Sequence, residues 1–289
     1  MRRGLFFAAC GAAVIATGAH ASHSVEWWKT NDPSAAPAHT RAEIMHYYTG
    51  LFPQLTLQDY ALGSGALNAE LRRQDEQLAD FSPAGFVLAK GKKLWAQPLL
   101  DGDTYASCYP DGGRSAAAHY PMYSEEQHEV ITLPMSLNAC RERHGAKALS
   151  YGKGDMVALE TYLASLSNGA PIDVKVDSQG ATAAFQAGQK FFFQRAGQLD
   201  LACASCHMGA VGRYLRAQLL SPAVGMPATF PKYRMKWGAV GTLQQRFRGC
   251  QKKIRAKPEG FESGDYRDLQ YFLTYLSNGV KIDVPGNGP

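Results

Sequence analysis

Apolar residues recur at helical spacing in two stretches of the chain that read almost alike. Leu159, Leu163 and Leu166 share one face of the first, and Leu269, Leu273 and Leu276 share one face of the second, 110 residues later. Gly154-Asp155 and Gly264-Asp265 stand where an N-terminal cap is wanted, and Asn168-Gly169 and Asn278-Gly279 end the two patterns. Both continue through Ile-Asp-Val, at Ile172 to Val174 and Ile282 to Val284. A second helical pattern surrounds Ile44 to Leu51. The expectation is a mostly α chain built on an internal duplication.

The first residues follow a different pattern. Arg2 and Arg3 precede an apolar run from Leu5 to Ala16, and Ala19-His20-Ala21 supplies a small-x-small site. This reads as an export signal cleaved after Ala21. The run is shorter than the roughly 20 residues a membrane span needs, and Cys10 lies inside it rather than at its end, which argues against a lipid anchor. The expected mature protein is periplasmic, with no membrane span.

Charge is unevenly distributed. The formal net charge is +5. From Arg195 to Lys257, however, there are twelve Lys or Arg and a single acid, Asp200, so the remainder is acidic. A basic surface or cleft of this kind attracts anions. An exported protein does not ordinarily meet nucleic acid, which leaves a small anion or an acidic protein as its partner. Lys232 and Arg234, in a stretch mixing aromatics, prolines and basic residues from Met226 to Trp237, are candidate anion contacts.

Cys203-Ala204-Ser205-Cys206-His207 has the spacing of covalent c-type haem attachment. Two cysteines three apart each add to a vinyl group, and the adjacent His is aimed at iron. A thioredoxin-type redox pair does not require the His, and zinc would need ligands that no second such motif supplies. The duplication extends to the cysteines: Cys140 stands 27 residues before Ser167, and Cys250 stands 27 before Ser277. Ala106-Ser107-Cys108 matches Ala204-Ser205-Cys206, but Tyr105 and Tyr109 replace the first cysteine and the iron ligand. The N-terminal copy is therefore expected to lack haem, with Cys108 and Cys140 either bridging the altered site or buried as inert thiols. Cys250 falls opposite the haem in this register. The residue types leave the distal ligand open between Cys250 and Met226 or Met235, since Met208 adjoins the proximal His. His119, His128 and His144 are read as surface or core histidines.

Phe230-Pro231-Lys232-Tyr233-Arg234, Arg246-x-x-x-Cys250 and Tyr275-Leu276-Ser277-Asn278-Gly279, all after the haem motif, resemble the SoxA family. Its members are the larger cytochrome subunits of the SoxAX complex of sulfur-oxidising bacteria. The resemblance implies His207 and Cys250 as axial ligands, Cys250 as a persulfide-type active-site cysteine, and Arg246 as its catalytic-site arginine. It implies L-cysteine S-thiosulfotransferase activity, joining thiosulfate to the carrier cysteine of SoxY in SoxYZ. It further implies a small SoxX-like cytochrome as companion and an electron-accepting cytochrome downstream. Family members with a single haem carry a disulfide in place of the other, which fits Cys108 with Cys140. Lys232, Arg234 and Arg248 are further candidates for holding thiosulfate.

The expected organisation is a signal at 1–21, an N-terminal extension at 22–70, a haem-less cytochrome c-like domain at 71–178 and a haem-binding cytochrome c domain at 179–289. Trp27 and Trp28 are expected to pack across the domains. Two other functions are weighed: an electron-transfer cytochrome without a substrate, for which Met would ligate iron, and a thiosulfate dehydrogenase forming tetrathionate, a class that carries two haem motifs.

Overall fold

The computed structural model describes Asp32 and residues 34–288. The export segment, Cys10, Trp27 and Trp28 lie outside the described residues. No helix among those described is long and apolar enough to cross a membrane.

Two helical repeats follow an N-terminal arm. The arm holds α1 (Pro37–Leu51), a 3-10 turn at Gln58–Ala66, and α2 (Ala69–Asp80). The first repeat contains α3 (Ala84–Trp95), a 3-10 turn at Tyr105–Cys108, α4 (Ala116–His119), the hairpin β1 (Met122–Ser124) and β2 (Glu129–Ile131), α5 (Leu133–Arg143) and α6 (Gly154–Ser165). The second contains α7 (Gln179–Phe193), α8 (Cys203–His207), the short hairpin β3 (Tyr214–Leu215) and β4 (Gln218–Leu219), and a 3-10 turn at Met226–Thr229. It ends with the hairpin β5 (Lys232–Arg234) and β6 (Ala239–Gly241), α9 (Leu243–Lys253) and α10 (Gly264–Leu276). The 110-residue register holds for the paired hairpins and for α5 with α9. Thr132 and Thr242 cap those two helices, each hydroxyl accepting a backbone N–H from the first turn. The expected boundary near residue 70 falls inside α2, and the one at 178 falls on Ser178, the N-cap of α7.

In each repeat the first and last helices cross at a glycine. A Cβ on Gly91 would meet the Ala158 carbonyl oxygen at 2.0 Å, and one on Gly188 would meet the Asp268 oxygen at the same distance. Ala158 and Asp268 occupy the same position of the repeat. The α7–α10 crossing is then filled by Phe185, Phe192 and Phe272, with ring centroids 5.1–5.5 Å apart and all three buried.

The repeats are joined by an exchange of hydrogen bonds between equivalent residues. Asn168 donates to Val284 O at 2.7 Å and accepts from Val284 N at 2.8 Å. Asn278 does the same with Val174, at 2.8 and 2.9 Å. The backbone between them pairs as well, Gly169 N to Ile282 O and Gly279 N to Ile172 O, both at 2.9 Å. The Asn-Gly that ends each helix thus also ties that repeat to the other.

In the first repeat, aromatic rings fill the region that corresponds to the haem motif. Trp95 stacks on Tyr105 at 5.6 Å and tilts against Tyr109 at 5.7 Å, and all three are buried. Cys108 and Cys140 form a disulfide beside them.

Between the repeats lies a cavity lined by Tyr120, Glu160, Phe230, Gln270 and Thr274. Glu160 is 7% exposed, and its Oε2 has no hydrogen-bond partner. Burial, reinforced by the nearby Glu262 carboxylate, pushes its pKa up to about 8 from 4.5. The folded state therefore binds the proton more tightly than the unfolded chain, and stability falls as pH rises from about 4.5 to about 8. Glu160→Gln, the residue type at the equivalent Gln270, is expected to flatten that decline in unfolding measured across the window; an unchanged slope would contradict it. Gly188→Ala is expected to cost about 1–3 kcal/mol by forcing α7 away from α10, read as a lower denaturation midpoint. An unchanged midpoint would mean that the crossing tolerates the methyl group.

Candidate functional site

The haem motif forms the single turn of α8. Ser205 Oγ accepts the Ala202 amide at 3.0 Å and fixes the entry to that turn. Two tyrosines of α1 hold its exit: Tyr48 donates to His207 O at 2.5 Å, and Tyr47 donates to Met208 O at 3.1 Å. The Tyr48 hydroxyl also accepts the Ala223 amide at 3.2 Å. Tyr48 is fully buried, and that burial drives its pKa well above the usual phenol range. These residues were not singled out by the sequence reading. Adjacent tyrosines in an arm helix carry no motif, and only the apolar spacing of α1 hinted at a buried face.

His207 donates Nδ1–H to Ser221 O at 2.9 Å. This is the usual arrangement for a metal-binding imidazole, because it leaves Nε2 as the ligand. Around it lies a mostly apolar cavity lined among others by Phe191, Phe192, Leu220, Phe247, Leu269 and Leu273. Cys203 and Cys206 lie on its wall, together with Arg246 and Cys250 of α9. Met226 also lines this cavity, whereas Met235 is 54% exposed and does not. His207 and Cys250 line the same cavity, and the imidazole favours the thiolate form of Cys250. The apolar walls, the cysteine pair and this imidazole–thiol donor set fit a c-type haem.

Electrostatics separates the three cysteines. Burial pushes the Cys203 thiol up to about 12 and raises Cys206 as well. Burial pushes Cys250 upward too, but Arg246, His207 and the ammonium of Lys253 outweigh it and bring the thiol down to about 6. The surrounding cations thus favour the thiolate at Cys250 and not at Cys203 or Cys206.

A second, more polar cavity adjoins the first. Ser64 and Leu71 of the arm line it, as do Lys232 and Arg234 of β5 and Arg246. Burial, with Arg234 and Arg246 adding to it against the pull of Asp75, lowers Lys232 to about 8. Arg234 lies against the Trp237 ring, 5.1 Å from its centroid. Arg248 is placed elsewhere: its guanidinium lies over Phe261 at 4.9 Å and donates to the Glu259 carbonyl, and it lines neither cavity. Of the basic candidates, Lys232, Arg234 and Arg246 come together and Arg248 does not. His119 and His144 face the carboxylates of Asp173 and Asp101, away from this site.

The family model of the SoxA/TsdA cytochrome c domain matches residues 90–172 and 187–282, one span in each repeat. The L-cysteine S-thiosulfotransferase subunit SoxA of Chlorobaculum tepidum is 38% identical over 287 residues, covering 99% of this chain and 98% of that protein. The SoxA subunit of the same name from Allochromatium vinosum is 39% identical over 255 residues, covering 88% and 90%. Among solved structures, that of SoxXA from P. pantotrophus superimposes with a TM-score of 0.68 at 27% identity, over 74% of this chain and 83% of that one. The chain belongs to the SoxA family, built from two cytochrome c domains of the SoxA/TsdA type.

Proposed function

We propose that the protein is the SoxA subunit of a periplasmic L-cysteine S-thiosulfotransferase and works beside a small SoxX-type cytochrome. In this reading one haem c would be held through Cys203 and Cys206, and His207 and Cys250 would be the residues that bind its iron. Its substrates are thiosulfate and the carrier cysteine of SoxY in SoxYZ. The observation that carries the proposal is the position of Arg246, which lines both the cavity holding Cys250 and the basic chamber holding Lys232 and Arg234. An electron carrier without a substrate has no use for three cations gathered beside a thiolate.

Thiosulfate is a small dianion with a sulfonate at one end and a sulfur at the other. Arg246, Arg234 and Lys232 bind the sulfonate oxygens through charge-assisted hydrogen bonds. The outer sulfur is thereby directed toward Cys250. The Cys250 thiolate and the thiosulfate outer sulfur together lose two electrons and form one sulfur–sulfur bond. Haem held by these residues would supply the acceptor for those two electrons. The carrier thiolate then attacks the outer sulfur, bonds to it with its sulfonate still attached, and releases Cys250 as the thiolate. No proton or electron is gained or lost in this second exchange. Arg246 acts in both halves, because the cation that binds the sulfonate also keeps Cys250 ionised.

Cys250→Ala is expected to abolish transfer to the carrier while Cys203 and Cys206 still attach haem; full activity in that variant would end the proposal. Lys232→Ala is expected to raise KM for thiosulfate by roughly tenfold or more, as loss of a charged hydrogen bond does, with kcat less affected. Equal KM values in the two proteins would remove Lys232 from the anion site.

A further inference from the structure

Cys108 and Cys140 have a third partner. His144 sits at the C-cap of α5, one helical turn beyond Cys140. A ring nitrogen of His144 and the two sulfurs all lie within 4.8 Å of one another. The imidazole side chain is 12% exposed, and its Nδ1 lies 2.6 Å from Asp101 Oδ2. A carboxylate on one ring nitrogen is how proteins orient an imidazole whose other nitrogen binds a metal. Cys140 and His144 also have the i, i+4 spacing that puts two ligands on one helix face. Cys140 is 1% exposed, so an ion held here would be shielded from solvent on the α5 side.

We propose that this cluster is a redox-gated metal site: with the cystine reduced, Cys108, Cys140 and His144 bind one Zn(II), and reoxidation expels it. The inference does not rest on the sulfur-transfer reading, since the cluster belongs to the first repeat and lines neither cavity of the second. Two thiolates and an imidazole are the donor set of tetrahedral zinc, with water as the fourth ligand. A dithiol reductant supplies the two electrons and two protons that convert the Cys108–Cys140 bond to two thiols, and is itself oxidised to a disulfide. Zinc then binds the two sulfurs as thiolates, and their two protons pass to solvent. Exchange with an oxidised dithiol reverses the sequence: the sulfurs rejoin, two electrons pass to the incoming disulfide, and zinc loses both thiolate ligands. Either way the turn at Tyr105–Cys108 stays linked to α5, once through a sulfur–sulfur bond and once through the metal.

The test uses the haem-loaded protein under anaerobic conditions. Half is reduced with a phosphine, the two new thiols are verified by alkylation and mass, and both halves are incubated with zinc chloride and desalted. One zinc per haem is expected in the reduced protein and none in the oxidised protein. Its X-ray absorption edge should fit two sulfurs near ~2.3 Å and nitrogen or oxygen near ~2.0–2.1 Å. His144→Ala leaves the disulfide in place during folding and is expected to weaken zinc binding at least tenfold. Asp101→Asn should weaken it by roughly 10–100-fold, as loss of an outer-shell partner does. Reduced protein that holds no zinc overturns the proposal. So does zinc retained equally by His144→Ala, or by the reduced Cys108→Ser/Cys140→Ser protein, which would place the ion at another thiol.

Discussion

The exchange of hydrogen bonds between Asn168 and Asn278 sets where every other part of the site can be. Each side chain satisfies both the N–H and the C=O of a valine in the other repeat, so neither repeat can shift without leaving buried peptide groups unpaired. The constraint then passes along the C-terminal tail. Ser277 Oγ accepts the Gly225 amide, Asp283 N donates to Ala228 O, and Gly286 N donates to Thr229 O. The Met226–Thr229 turn is therefore held from the tail. Tyr233 N donates in turn to Gly286 O at 2.9 Å, which ties β5, with Lys232 and Arg234, to the same segment. The basic chamber is thus built on the joint between the repeats, and the repeat without the haem motif contributes by anchoring it.

The arm applies a second constraint from the opposite side. The Tyr48 hydroxyl bridges His207 O and Ala223 N, linking the haem-motif turn to the loop that carries Ser221, the acceptor for His207 Nδ1. The imidazole is fixed by its own ring bond and by the backbone on either side. Against that rigid frame, the chemistry of Cys250 is a contest between two opposing effects. Burial disfavours a thiolate, and Arg246, His207 and Lys253 favour it more strongly. Before haem is attached, the same burial without such partners pushes the Cys203 thiol the other way. Burial therefore meets opposite outcomes at two cysteines of one cavity, decided by which of them faces the cations.

Much of this was legible in the sequence because it is local or repeated. The haem motif is contiguous, and the duplication put Cys250 on the side opposite the haem and brought Cys108 near Cys140, while leaving open whether Cys250 or a Met binds the iron. The basic run from Arg195 to Lys257 foretold an anion site, although it could not separate Lys232 and Arg234, which enter the chamber, from Arg248, which turns to Phe261. Contacts between distant segments were not legible. Tyr47 and Tyr48 reach the haem motif from some 160 residues away. Gly91 and Gly188 look like unremarkable helix glycines until a partner helix is laid across them. The stacked Trp95, Tyr105 and Tyr109 were half visible, since the two tyrosines stand at the lost haem positions, but nothing in the sequence placed Trp95 between them. Asn-Gly read as a helix stop, and its second role appears only when both copies are seen together.

The most direct measurement follows the sulfur itself. The haem-loaded protein with its SoxX-type subunit is given thiosulfate labelled in the outer sulfur, without the carrier. It is digested in acid without reductant, and the peptide containing Cys250 is weighed. The account predicts labelled sulfur on Cys250, which leaves when SoxYZ is added and appears on the carrier cysteine. A Cys250 peptide that never takes up the label, while the carrier is still modified at the normal rate, would contradict it.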